Sequence, residues 1–242
     1  MLYIIGLGLN VDGISKYGLE VVKRCKTVYL ENYTVDFPYP MGPLKELIDK
    51  KINFADREFV ESLKIIDEAK KKDVALLVYG SPLTATTHIS LIQEAKNCDV
   101  RYKVIYNASI LDAVAETGLQ IYKFGKIASM PAWKENYEPD SFMEIVKENN
   151  SINAHSLILI DIGLDFEDAL VQLKKAAEKH KIKLKKLLIC QALGTKDRKI
   201  LYRTIEEVES YTGVKKPYCI IIPSKLHFIE KEMLEGFMGK EL

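Results

Sequence analysis

Three stretches of the chain bring together residue types that could hold a small ligand: Gly6-Leu-Gly-Leu-Asn10, Gly80-Ser-Pro-Leu-Thr-Ala-Thr-Thr-His88 and Asn107-Ala-Ser-Ile110. Each directly follows a short strand-like run, respectively Leu2 to Ile5, Val74 to Tyr79 and Tyr102 to Tyr106. Beyond the carboxyl end of a buried strand, backbone amides point outward and side chains need not fill a core, so glycines and small hydroxyls there can meet a ligand. The same residues also make ordinary turns and helix caps, and for Gly6, Gly8 and Ser109 the structural reading is about as good. Other chemistries are excluded. A dinucleotide fingerprint needs a third glycine where this chain has Val11. Cys25, Cys98, Cys190 and Cys219 are far apart, form no C-x-x-C pair and have no histidine near them in sequence, so no metal or redox motif is present.

The elements that must position these stretches are legible as alternating strands and helices. Val74 to Tyr79 is apolar throughout, the pattern of a strand buried on both faces, and Gly80, Ser81 and Pro82 end it. A helix pattern follows through Ile89, Leu91, Ile92 and Ala95, with Thr86 or Thr87 placed to cap it. Strand-then-helix recurs about five times before residue 118, with strands also at Thr27 to Leu30 and Ile52 to Phe54, and helical spacing over Lys45 to Ile48 and Phe59 to Ala69. That alternation calls for a parallel sheet with helices on both faces. The loop Asp36-Phe-Pro-Tyr-Pro40 suits either a lid or a cover for the sheet edge. Beyond a crossover at Gly118 to Gly125 lie strands at Ile127 to Met130, Leu157 to Asp161, Leu187 to Ala192, near Leu201 and at Tyr218 to Ile222, with helices over Phe142 to Lys147 and Phe166 to His180. The expected architecture is therefore two α/β domains, residues 1–122 and 123–242, with a ligand-sized cleft between them.

Composition narrows the partners. The 35 basic and 34 acidic side chains leave a formal charge of +1, so no overall field draws the chain to nucleic acid or to an anionic membrane. No apolar run spans a bilayer, the chain starts directly on strand-like residues, and free thiols suit a reducing compartment, so a cytoplasmic location is expected.

Four segments together resemble the diphthine synthase family of the tetrapyrrole methylase superfamily: Tyr3 to Leu9, Gly80 to His88, Ser109-Ile110 with Gly118-Leu-Gln-Ile-Tyr-Lys-Phe-Gly125, and Pro223-Ser-Lys-Leu-His227. They occur in the family's order along essentially the whole chain. The A-T-T-H and I-Y-K-F-G pieces are the specific ones. The resemblance implies a tetrapyrrole-methylase-like fold with an N-terminal parallel and a C-terminal mixed sheet. It also implies transfer of methyl groups from S-adenosylmethionine, with S-adenosylhomocysteine as product, to the amine of the 3-amino-3-carboxypropyl-histidine of elongation factor 2. A homodimer and no metal are implied as well. The cofactor positions carried over are Leu9, Ser81, Thr84, Ser109 and Ile110, with Ile160, Leu193 and Tyr218 from the second domain by register.

Two positions depart from the family's pattern. Ser81 stands where the superfamily usually has aspartate, removing a charge-assisted bond to the cationic cofactor. Ser224 stands where glycine is frequent and would be strained if its φ were positive. Displacement at a sulfonium needs alignment more than a catalytic side chain. No catalytic residue is assigned, although Glu31, Tyr33 and Asp112 are placed to assist the acceptor amine. Alternatives are a methyltransferase acting on a tetrapyrrole precursor or on ribosomal RNA, or a cofactor-binding protein without catalysis. A basic stripe with interleaved aromatics, which RNA binding would call for, is absent from the sequence.

Overall fold

The computed structural model describes residues 1–238 and divides the chain into two compact units, Met1–Asp112 and Ala113 onward. The division falls ten residues before the boundary expected after residue 122, within a short helix that the sequence pattern runs together with the turn after it.

In the first unit the order is β1 (Leu2–Gly6), α1 (Lys16–Arg24), β2 (Thr27–Glu31), α2 (Met41–Ile48), β3 (Ile52–Ala55), α3 (Arg57–Glu61), α4 (Lys64–Lys71), β4 (Val74–Val78), α5 (Ile89–Asn97), β5 (Tyr102–Ile105) and α6 (Ile110–Ala113). The five strands form one sheet in the order β3-β2-β4-β1-β5, and every pairing in it is parallel. Alternate residues of the central strands face opposite layers, as the pleat requires. Leu2, Ile4, Leu76 and Val78 pack under Val60, Ile65, Ile66, Leu91 and Ala95 of α3 to α5. Ile5, Ala75, Leu77, Val28 and Leu30 pack under Val21, Val22, Leu44 and Ile48 of α1 and α2. Phe59 to Ala69 is not one helix, because Leu63 takes a left-handed φ of 60° and separates α3 from α4. Neither Thr86 nor Thr87 caps α5. His88 holds that position with helical dihedrals, and the Thr86 hydroxyl donates to Pro82 O at 3.2 Å.

The second unit contains β6 (Ala128–Met130), α7 (Ser141–Ser151), β7 (Ser156–Ile160), α8 (Phe166–Lys179), β8 (Lys186–Gln191), β9 (Lys199–Thr204), α9 (Ile205–Ser210), β10 (Tyr218–Ile222) and α10 (Phe228–Glu235). Its sheet, β6-β7-β10-β8-β9, is mixed: β6 and β7 are parallel and the remaining pairs antiparallel. One face buries Met130, Ile158, Ile189 and Ile220 against Phe142, Met143 and Val146 of α7 and Phe166, Ala169 and Leu173 of α8. Cys190 and Cys219 are register partners on β8 and β10, free and buried. The neighbouring thiol and burial hold the Cys190 pKa well above its ordinary value, so this pair packs as small apolar side chains. Two α/β units with a parallel and a mixed sheet are the architecture expected from the sequence.

Candidate functional site

The corners after β1, β4 and β5 meet. Gly8 N donates to Gly80 O at 3.2 Å and Gly80 N donates to Gly8 O at 2.9 Å, joining the first two corners backbone to backbone. Both glycines have left-handed backbones, φ +73° and +69°, which other residues adopt only with strain. A side chain on Gly6 would sit 2.6 Å from Gly80 O and 2.9 Å from Asn107 Cβ, so that glycine serves the approach of chain to chain. Around Gly80 there is more room: a Cβ there would meet nothing nearer than Ala108 O at 3.7 Å, Ser109 Cα at 3.8 Å and Leu9 Cδ2 at 3.9 Å.

Asn107 ties the third corner in. Its Nδ2 donates to Gly6 O at 3.1 Å and Gly13 O at 2.8 Å, while its Oδ1 accepts from Ala108 N at 2.8 Å. The Tyr79 hydroxyl donates to Leu9 O at 2.9 Å. Phe37 meets Tyr79 edge-on and Tyr39 meets it at a tilt, and both pack on the core under α1 and α2. The Pro-rich loop is therefore a cover for the end of the sheet. Sequence reasoning missed Asn107 and Tyr79. A single asparagine after a strand resembles any turn residue, and Tyr79 resembles one more apolar strand position.

Of the first-unit residues expected at the site, Leu9, Ser81, Ser109 and Ile110 lie at these converging corners, and Thr84 N donates to Ser81 O at 3.1 Å within the same turn. Ser109 is buried and its hydroxyl is committed: it accepts from Leu111 N at 3.2 Å and donates to Asp112 Oδ2 at 2.9 Å. That side chain caps α6. Ser81 and Thr84 are half-buried, and among the described residues their hydroxyls make no hydrogen bond. Ala85, next in line, holds a φ of 54°, so the turn that carries these hydroxyls is strained.

The groups placed to assist the acceptor amine are occupied by structure. Glu31, 1% exposed, accepts from Tyr33 N and Thr34 N, each at 2.6 Å, and from the Thr34 hydroxyl. Asp112 holds Ser109. Burial, helped by the Glu31 charge, pushes the Tyr33 phenol up to about 12, so it is not ionised near neutral pH. His88 is fully buried, with Nδ1 3.1 Å from Pro82 O and Nε2 3.4 Å from the Tyr33 hydroxyl. A carbonyl only accepts, so Nδ1 carries the proton and Nε2 accepts from Tyr33. The histidine of the A-T-T-H motif thus pins the proline next to Ser81.

In the second unit, register places Ile160, Leu193 and Tyr218 at one end of the sheet: β10 pairs with β7 through Cys219↔Leu159 and with β8 through Tyr218↔Gln191. Ile160 is half-buried, Leu193 is 2% exposed, and the Tyr218 hydroxyl is spent on Leu164 O at 3.1 Å. Ala192, just before Leu193, has a φ of 45°.

The I-Y-K-F-G and P-S-K-L-H segments lie at the opposite end. Glu230, fully buried, accepts from Gln120 N at 3.0 Å and His227 N at 2.7 Å, pairs with Lys123, and lies 3.2 Å from His155 Nε2. Lys123 also donates to Lys225 O, and Ser224 N donates to His155 Nδ1 at 3.0 Å. His155 therefore carries its proton on Nε2 and donates it to Glu230. Burial alone would raise the Glu230 carboxyl, but its hydrogen bonds from Lys123, Gln120, His227 and His155 outweigh that and hold it near 2. Burial keeps His155 below its ordinary value and neutral. Ser224 is not among the residues with positive φ, so the strain considered for it does not arise. Among the described residues no group of His, Cys, Asp and Glu is arranged to hold a metal.

Residues 1–209 match the family model for Tetrapyrrole (Corrin/Porphyrin) Methylases. With its parallel and mixed sheets and its converging strand ends, the chain is a member of that class of methylases. A probable diphthine methyl ester synthase of Arabidopsis thaliana is 36% identical over 274 residues, 99% of this chain and 99% of the relative. The diphthine methyl ester synthase of Bos taurus is 36% identical over 270 residues, 98% of this chain and 95% of the relative. A crystal structure of diphthine synthase superposes with a TM-score of 0.89 at 31% identity, covering 98% of this chain and 95% of that one. The chain belongs to the diphthine synthase family.

Proposed function

We propose that this methyltransferase takes methyl groups from S-adenosylmethionine and places them on the amine of the 3-amino-3-carboxypropyl-histidine of elongation factor 2, within diphthamide biosynthesis. The observation that supports this reading most is the joining of the corners after β1, β4 and β5, which gathers Leu9, Ser81, Thr84, Ser109 and Ile110 in a fold shared with diphthine synthases. The two uncommitted hydroxyls of Ser81 and Thr84 suit the ribose and amino acid groups of such a cofactor, and the space beside Gly80 suits its close approach. Ile160, Leu193 and Tyr218 of the second unit stay in the proposed set on the family resemblance, and the Tyr218 hydroxyl itself is spent on Leu164 O.

When bound, S-adenosylmethionine supplies an electrophilic methyl on a sulfonium. The chain's own part is to bind and align. Tyr33 and His88 fix the carbonyl of Pro82 and so the direction of Ser81, while Asn107 fixes the corner opposite. Alignment can account for much of the rate of a direct displacement. No side chain is assigned as general base: Glu31 and Asp112 are committed to backbone and hydroxyl donors, and Tyr33 holds its proton.

Calorimetry with S-adenosylhomocysteine tests the cofactor site, and mass spectrometry of precursor-bearing elongation factor 2 after incubation with S-adenosylmethionine tests the reaction. The Arabidopsis and cattle relatives are named for a methyl ester, so beyond full methylation of the amine one further methyl group is expected, esterifying the carboxylate of the same side chain. An elongation factor that gains no methyl group while the cofactor binds would leave a binding protein without catalysis. We further propose a cytoplasmic homodimer. Among the described residues no helix is long and apolar enough to cross a membrane.

A further inference from the structure

The carboxyl edge of the first sheet continues past the corners that gather the cofactor residues. In the order β3-β2-β4-β1-β5, β1 and β5 lie on one side of β4 and β2 and β3 on the other. That other side carries a guanidinium. Of the three arginines in the first unit, Arg24 and Arg101 stand just before β2 and β5, at the amino edge, whereas Arg57 directly follows β3 at the carboxyl edge. Arg57 is exposed, and its Cζ lies over the Tyr33 ring, 5.4 Å from the centroid. Tyr33 is a fixed platform: its amide donates to Glu31 at 2.6 Å, its ring meets the His88 ring edge-on at 6.3 Å, and its hydroxyl lies 3.4 Å from His88 Nε2. His88 in turn donates to Pro82 O, beside Ser81. Contacts therefore run unbroken from the guanidinium to the turn that carries Ser81.

The cation itself is uncommitted. Among the described residues the Arg57 side chain makes no ion pair and no hydrogen bond. Nearby carboxylates are occupied: Glu31 accepts from Tyr33 N and Thr34 N, and Asp56 caps α3 by accepting from Phe59 N at 2.8 Å. Glu61 comes four residues after Arg57 on α3, the weaker order for an ion pair along a helix. A guanidinium over an aromatic face is held by the ring and keeps the N–H fork in its own plane free for a carboxylate.

We propose that Arg57 binds the carboxylate of the 3-amino-3-carboxypropyl group, so that the amine on the same carbon turns toward the methyl donor at the corner after β4. This rests on the function proposed above and makes Arg57 the residue that selects an α-amino carboxylate as acceptor. The ends of β3 and β4 are two strand spacings apart, about 10 Å, which leaves room for an acceptor side chain between the guanidinium and Ser81. S-adenosylmethionine carries a carboxylate too. Its proposed first-unit residues follow β1, β4 and β5, away from the β3 end, and this assigns the guanidinium to the acceptor. Esterification then removes the charge that Arg57 holds, so the ester binds more weakly than the carboxylate forms that precede it.

The test follows methylation of precursor-bearing elongation factor 2 at varied concentrations of that factor. It uses the full chain, Arg57→Gln, Arg57→Lys and, as a control, Arg101→Gln at an exposed position on the amino edge. Calorimetry measures S-adenosylhomocysteine binding by each, and thermal melts confirm that each folds. In Arg57→Gln the KM for the elongation factor should rise about tenfold or more, the loss of one hydrogen-bonded charge, with S-adenosylhomocysteine affinity within about twofold of the parent's. Arg57→Lys, which keeps the charge and loses the fork, should fall between, and Arg101→Gln should match the parent. A parent that transfers no methyl group overturns the proposed function and this role with it. An active parent whose Arg57→Gln variant keeps the same KM overturns the role alone. Weakened S-adenosylhomocysteine binding in Arg57→Gln would give the guanidinium to the cofactor or to the Ser81 turn, and it too overturns the proposal.

Discussion

At the scale of single residues, the corner after β4 is where small changes should be felt in cofactor affinity. Replacing Ser81 or Thr84 by alanine removes one neutral hydrogen bond, worth about 1 kcal/mol, and should raise the dissociation constant for S-adenosylhomocysteine about fivefold. Calorimetry would show it, and an unchanged constant in both variants would remove these hydroxyls from the site. Ser81→Asp should tighten S-adenosylmethionine more than the uncharged product, because a carboxylate discriminates for the sulfonium charge. His88→Ala is a different case. It leaves Pro82 O without its donor and opens a cavity in a fully buried position, so a loss of about 3 kcal/mol in urea melts is expected. The roles of these residues were only partly visible in the sequence. Hydroxyls and glycines after strands marked the corner, yet which hydroxyl is free and which caps a helix depends on dihedrals that residue type does not determine. Ser109 and Ser81 look alike in sequence and differ entirely in use.

At the scale of elements, periodicity located nine of the ten described strands to within about a residue, because buried strands are largely continuous apolar runs, and placed β9 (Lys199–Thr204) only as a strand near Leu201. It failed where one residue breaks a helix, as Leu63 does, since a left-handed leucine leaves no trace in apolar spacing. The cluster around Glu230 was equally hidden, being assembled from three segments far apart in sequence. It should dominate the acid sensitivity of the second unit. The Glu230 carboxyl is depressed on folding, so its contribution is fully present above its ordinary value near 4.5 and is lost as pH falls toward about 2. His155 is also depressed, so the unfolded chain takes up a proton below about 6.5 that the folded one refuses, and acid begins to destabilise there. Glu230→Gln strands Lys123 and should cost about 3 kcal/mol near neutral pH. Its melts should also depend less on pH than the parent's through the acid range, and an equally steep dependence would show that the carboxylate is not the group responsible.

At the scale of the whole molecule, the two sheets differ in kind. Strand-helix alternation called for parallel pairing in the first unit, whereas the mixed sheet of the second was expected from the family resemblance and not from the residue pattern. What no pattern in a single sequence carries is the count of methyl groups delivered or the number of chains in the assembly. Intact-mass measurement of the modified elongation factor should show successive additions appearing in order, with the fully methylated form accumulating at long times. A single addition that never progresses would contradict repeated methylation by one site.

The mutual pairing of Gly8 and Gly80 has a consequence for how the corner opens. Each amide is shielded only while the other's carbonyl stays in place, so the two protons should trade with deuterium at a common rate, set by one local opening event rather than two. A bound nucleoside resting on that pair would slow both together. Protection gained at one of them alone would mean that the two turns part independently.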